Sequence, residues 1–355
     1  MADPGQAGEH PMTTLVLRTP PLSGRIALRS ALVCSALVLL CVVVTGLALS
    51  LGEIVYSPGE VLAALTGHAS GPAELFVVGW RLPRAAAAVV FGAMLGVAGA
   101  LFQTITRNPL GSPDIIGFTA GSSLAGTAAI VLIGSGFAVV AAGALLGGLV
   151  VAAAMVLLSR GGGAAGFRLV IAGIALNAML VSTESWLVLA ADLDAALAAA
   201  LWGAGTLNGA DFAYIGAPML FGVIAILLTV VLLGRRLDLL DMGDDTGTTL
   251  GGRPARTRLY AIGVGVLLVA LVTAAAGPIA LVALAAPHIG RRLAGSTGNA
   301  LIPAACAGAL LLAAADLAAQ HLVPGQSYPV GVVTVVGGGL YLMTLIIREN
   351  RTSAW

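Results

Sequence analysis

The chain has 355 residues, 59% of them hydrophobic and only 9% charged, with a formal net charge of +1. Soluble globular chains carry roughly 25% charged residues, so composition excludes a soluble enzyme or binding module, and the near-zero net charge excludes a broad nucleic-acid surface. All 17 basic residues are Arg, and 48 glycines are dispersed through the apolar stretches, a composition that lets helix backbones approach closely in lipid.

Residues 1–24 are polar, hold four prolines and predict a flexible cytoplasmic tail. The apolar run 31–51 that follows Arg25 and Arg29 has the length of a full span. A cleaved signal would carry an apolar core of only about 7–15 residues, so the run predicts a retained first helix. Further apolar segments at 85–105, 114–133, 136–158, 168–191, 213–234, 259–276, 278–290, 301–319 and 330–347 bring the total to ten. The segment 278–290 is short, carries Pro278 and Pro287, and reads as a broken or tilted span. The expected fold class is therefore all-α integral membrane, with one ten-helix domain over 25–348 and a cytoplasmic tail at 349–355.

The arginines set the orientation. With the N-terminus in the cytoplasm, 15 of the 17 fall on the cytoplasmic side, as the positive-inside rule requires. The exceptions, Arg81 and Arg84 in Trp80-Arg81-Leu82-Pro83-Arg84, fall on the outer face before the second span. They read either as headgroup anchors or as cations that receive carboxylates from an external partner.

Intramembrane ionisable groups are few: Glu184, with Asn177 two turns away, Asp316 near the outer end of the ninth segment, and Asp114 after Pro113. A proton- or sodium-coupled carrier needs a relay of acids near the midplane. One Glu and one Asn are too thin for that, so an ion-coupled carrier stands as the alternative reading. An intramembrane enzyme fares worse, because His288 has no second His at helical spacing and no Ser/His or Asp/Asp pair stands in place for catalysis. Cys34, Cys41 and Cys306 have no metal-type spacing and read as packing residues, so no metal or cofactor is expected on this chain.

No phosphate-binding loop of the Gly-x-x-x-x-Gly-Lys type exists, since the chain has no Lys. The longest cytoplasmic loop, 235–258, runs through Leu237, Leu240, Gly243, Asp244, Asp245, Leu250 and Gly251. Asp244-Asp245 suit the first turn of a short helix, and Gly251-Gly252 suit its end. Leu240 and Leu250 would give that helix an apolar side for docking a partner.

Residues 30–347 resemble the FecCD-type permeases of iron–siderophore and vitamin B12 ABC importers. The resemblance rests on four runs in order. The first is Arg81-Leu82-Pro83-Arg84, Gly99 to Gln103, Arg107-Asn108-Pro109-Leu110 and Pro113 to Gly117. The second is Gly243-Asp244-Asp245 with Leu250-Gly251. The third is Ala276 to Ile279 with Pro287, His288 and Arg291, and the fourth is Ala315-Asp316-Leu317 with Tyr328 to Thr334. The resemblance implies a permease dimer in the plasma membrane, homo- or heteromeric, which imports a metal chelate by alternating access. It implies ATP and Mg on two separate cytoplasmic ATPase subunits that dock on the loop around 237–252. It also implies an extracytoplasmic binding protein that docks at Arg81 and Arg84. Where the family often carries a further basic residue beyond Asp316, this chain has Gln320 and His321. Some relatives carry small polar residues before the fifth helix, at the cytoplasmic gate; this chain has Gly163-Ala164-Ala165-Gly166 there instead, and Ala165 and Gly166 are the candidate gate residues because small side chains would allow close approach across a dimer axis. A ferric siderophore is the leading substrate, and haem and cobalamin remain open.

Overall fold

The computed structural model describes residues 14–17, 24–69, 71–158, 165–296, 298–323 and 326–352. All ten predicted segments are helical: α1 Leu28–Ser50, α2 Leu82–Thr106, α3 Phe118–Leu132, α4 Phe137–Leu158, α5 Ala165–Ala190, α6 Phe212–Leu228, α7 Pro254–Ala276, α8 Val282–Ala294, α9 Leu301–His321 and α10 Val330–Thr352. Among the described residues, seven helices are long and apolar enough on their own to cross a membrane, and α3, α8 and the apolar part of α10 are shorter.

Local chemistry accounts for several boundaries. Ser57 and Glu60 form a reciprocal capping box that starts the short helix Pro58–Leu65. The segment expected at 114–133 is split, because Gly117 (φ 90°) breaks the turn Pro113–Ile116 from α3. The segment expected at 278–290 begins as irregular backbone, and α8 starts only at Val282 after Leu281 adopts φ 67°. At the N-terminus, where no regular structure is expected from sequence, strands Thr14–Leu17 (β1) and Gly24–Ala27 (β2) pair antiparallel, with Thr14 opposite Ala27.

Helix α2 is the centre of the bundle. It packs against α6, α7, α8 and α9, and 78% of its span is buried, against 6% for α5. The α2–α9 seam is made of small residues. A Cβ on Gly92 would lie 2.3 Å from the Gly308 carbonyl oxygen, and one on Gly96 would lie 2.1 Å from the Ala304 oxygen. Around the seam sits one core containing Phe91, Met94, Leu101, Phe102, Leu268 and Leu312. On the outside, Leu39, Val42 and Leu220 are exposed. An apolar exterior over a packed core is the arrangement a lipid environment stabilises.

Candidate functional site: two polar clusters at the helix ends

The first cluster surrounds Arg81 and Arg84, and it ties both cations inward. The Arg81 guanidinium caps the end of α1 by donating to the carbonyls of Leu49 (2.8 Å), Ser50 (3.1 Å) and Ile54 (2.7 Å), and it lies over the Tyr56 ring. Arg84 donates through Nε and Nη2 to the Asp316 carboxylate at 2.9–3.0 Å. Their side chains are 15% and 2% exposed, so this is a buried ion pair between α2 and α9. Gln320 Nε2 completes it with a 2.8 Å bond to Asp316 Oδ2. His321, one residue on, is exposed and contacts the Leu317 carbonyl through Nδ1. To the two sequence readings of these arginines the structure adds a role within the chain, the joining of three helical segments.

The second cluster gathers the other signatures. Pro287 lacks the N–H that would bond the Ala283 carbonyl. That freed carbonyl faces Gly99 so closely that a Cβ there would lie 1.7 Å from its oxygen. Gln103 Nε2 then donates to the Leu284 carbonyl (3.1 Å), and Asp114 accepts from the Leu281 N–H (3.2 Å) and the Thr119 hydroxyl (2.6 Å). His288 meets the Tyr341 hydroxyl of α10. The first and third sequence runs, some 180 residues apart, are therefore the two sides of one contact. Asn108 folds its side chain onto the Leu110 N–H, which fixes the turn containing Pro109. Arg291 Nε and Nη2 are buried and make no hydrogen bond among the described residues.

Arg107 ends α2 in a left-handed conformation (φ 50°) and reaches the 235–258 segment. Its Nη2 donates to the Leu240 carbonyl (3.1 Å) and to Asp244. Arg258 of α7 bonds the same carboxylate at 2.8 and 2.9 Å. Partial burial alone would raise the Asp244 carboxyl, but the bonds to Arg258 and then Arg107 outweigh it and hold the group below the ordinary carboxylate range.

The segment itself departs from the expected loop. A helical run continues from α6 through Gly234–Asp241, and the short helix Asp244–Thr249 follows it. Leu237 and Leu240 are buried in the chain's own core, whereas Met242 and Leu250 are exposed. The apolar side expected from Leu240 and Leu250 is therefore divided between core and surface. Asp244-Asp245 do start the short helix, and Gly251 (φ 81°) follows its end.

Ala165 and Gly166 are the first residues of α5, and their side chains lie outside the described residues. Further along α5, Glu184 turns toward α3 and accepts hydrogen bonds from Ser123 (2.7 Å) and Thr127 (2.8 Å). The sequence reading missed both hydroxyls, although their i, i+4 spacing on an apolar helix was the available signal. Among the described residues no group of three His, Cys, Asp or Glu is placed to hold a metal ion.

Residues 38–348 match the model of the FecCD transport family. The chain belongs to the FecCD family. It is 45% identical to the ferric enterobactin transport system permease protein FepG of Escherichia coli (strain K12), over 91% of this chain and 98% of that one. It is 35% identical to FepD, a permease of the same system and organism, over 94% of this chain and 100% of the relative. A solved structure described as an inward-facing conformation of a metal-chelate type ABC transporter superposes with a TM-score of 0.76, at 25% identity, over 90% of this chain and 99% of that one. A FecCD chain is a multi-pass membrane permease subunit, and the all-α architecture described above is that fold.

Proposed function

We propose that this FecCD chain is the membrane-spanning permease subunit of an ATP-driven importer that moves a ferric siderophore from an extracytoplasmic binding protein into the cytoplasm by alternating access. The observation that carries the reading is the near-complete match to a ferric enterobactin permease, at 45% identity over 91% of this chain. Both termini are cytoplasmic in this reading, which agrees with the distribution of arginines. ATP and Mg bind two partner ATPase subunits, which dock on the exposed side of the 235–258 segment at Met242, Asp245 and Leu250. The binding protein docks on the outer face around Arg81, Arg84, Gln320 and His321.

A second permease completes the pathway. The bare face of α5, with Ile174, Met179, Trp186 and Leu189 exposed, and that of α10 support such a partner. Two permeases of one enterobactin system resemble the chain unequally, at 45% and 35% identity, which favours a non-identical partner.

The test is purification of the chain from its native membrane in mild detergent, followed by uptake assays in vesicles. Co-purification of an ATPase and a second permease, with ferric-siderophore uptake that requires ATP and the binding protein, is the expected result. A chain that purifies alone and drives uptake on a proton gradient would reverse the reading in favour of an ion-coupled carrier.

A further inference from the structure

Two carboxylates of the 235–258 segment, Asp238 and Asp244, each meet a different part of the bundle. Asp238 Oδ1 accepts the Asn299 N–H ahead of α9 (3.2 Å), and Asn299 Nδ2 returns a bond to the Gly234 carbonyl (2.7 Å). Asp244 accepts from Arg107 at the end of α2 and from Arg258 of α7. We infer that these two aspartates are positioning residues: they make no contact with the ATPase but anchor the coupling segment to α2, α7 and the approach to α9, so that a push on its outer side moves those helices.

Backbone geometry explains why an anchor is needed. The helix Asp244–Thr249 has only six residues, too few to hold itself together without tertiary contacts. It is flanked by Gly243 (φ 104°) and Gly251 (φ 81°), whose conformations leave the helix joined to the chain by soft links at both ends. Its inner side rests on the preceding helical run at Gly247, where a Cβ would lie 2.9 Å from the Leu239 oxygen. Among the described residues, Asp244, clasped by two guanidiniums, makes the only ion pairs between this helix and the body. A lever hinged at both ends transmits force only where it is fastened, and Asp244 fastens it to α2, the most buried helix of the bundle.

The inference rests on the proposed docking of an ATPase at this segment, and the experiment separates the two. Amide hydrogen exchange on the purified chain, without ATPase, reads the anchor directly. In Asp244→Asn, residues 244–251 should exchange about fivefold faster, the size expected from losing a partly exposed ion pair, and in Arg258→Gln they should exchange faster by a smaller factor, because Arg107 still holds the carboxylate. The double variant should match Asp244→Asn alone, because Arg258 acts on this helix through that carboxylate. Asp245→Asn, altering the neighbouring exposed acid, should leave that exchange unchanged. In the assembled complex, Asp244→Asn should keep its ATPase yet move at least about threefold less siderophore per ATP. Unchanged exchange in Asp244→Asn would overturn the anchor, and so would loss of the ATPase from that variant, which would make Asp244 a docking contact. Leu250→Glu tests docking separately: an ATPase that stays bound to it undermines the docking surface and leaves the exchange result to judge the anchor.

Discussion

Replacing Arg84 by Leu should destabilise the bundle strongly, because it strands a carboxylate in an apolar seam. Asp316 is 2% exposed and takes three of its hydrogen bonds from Arg84. At 2.9 Å, and an effective dielectric constant of about 20, the Coulomb attraction is about 6 kcal/mol before desolvation. Stranding one partner of a buried pair costs about 3–5 kcal/mol. Gln320 still donates to Asp316 at 2.8 Å, which places the expected loss near the lower end. Asp316→Asn should cost less, since Arg84 is 15% exposed and has Ser327 within reach. The double variant Arg84→Leu/Asp316→Asn should recover most of the loss, because no unpaired charge remains buried. Thermal unfolding in mild detergent, followed by reactivity of the buried thiol of Cys41, measures all three. Wild-type melting of Arg84→Leu, or a double variant as unstable as the single, would refute the claim that the pair is buried and closed. The same argument bears on docking: an Arg84→Glu variant that loses uptake reports a broken bundle first, so His321→Glu is the cleaner probe of binding-protein affinity.

Three further outcomes follow from the geometry. Gly96→Ala should cost roughly 1–3 kcal/mol and Gly96→Leu should prevent folding, since the Ala304 oxygen lies 2.1 Å from the new Cβ, whereas Gly263→Ala on α7 meets nothing within 4 Å and should be neutral or stabilising; expression level and melting temperature report both. The Asp244 carboxyl is held below its ordinary value, so its anchoring is complete above about pH 4 and is lost as pH falls through the lower, folded-state pKa; faster exchange of residues 244–251 only at such acid pH is expected, and a loss already at pH 6 would contradict the assignment. Tyr341→Phe removes the hydroxyl that meets His288 and should cost about 1 kcal/mol in melting experiments.

Hydropathy located the helical segments, because an apolar run of about twenty residues in lipid can satisfy its own backbone hydrogen bonds only as a helix, whereas the split at Gly117 and the irregular start of α8 were set by tertiary contacts. The ordered motifs also disclosed the family, and the Asp244 start and Gly251 end of the short helix were legible from local capping rules. Tertiary structure alone decided the partners. Arg84 and Asp316 stand 232 positions apart, and no local pattern distinguishes an arginine that waits for a binding protein from one that neutralises a buried carboxylate. Leu240 and Leu250 look alike in sequence, yet the helical continuation of α6 through Asp241 turns Leu240 into the core and leaves Leu250 at the surface. Asp238 and Asp244 read as parts of a solvated acidic loop until the ends of α2, α7 and α9 bring Arg107, Arg258 and Asn299 beside them. Spans are fixed by free energies that sum along the chain, whereas ion pairs depend on which helix ends meet, and that is settled only when the Gly92–Gly308 and Gly96–Ala304 contacts bring α2 and α9 together.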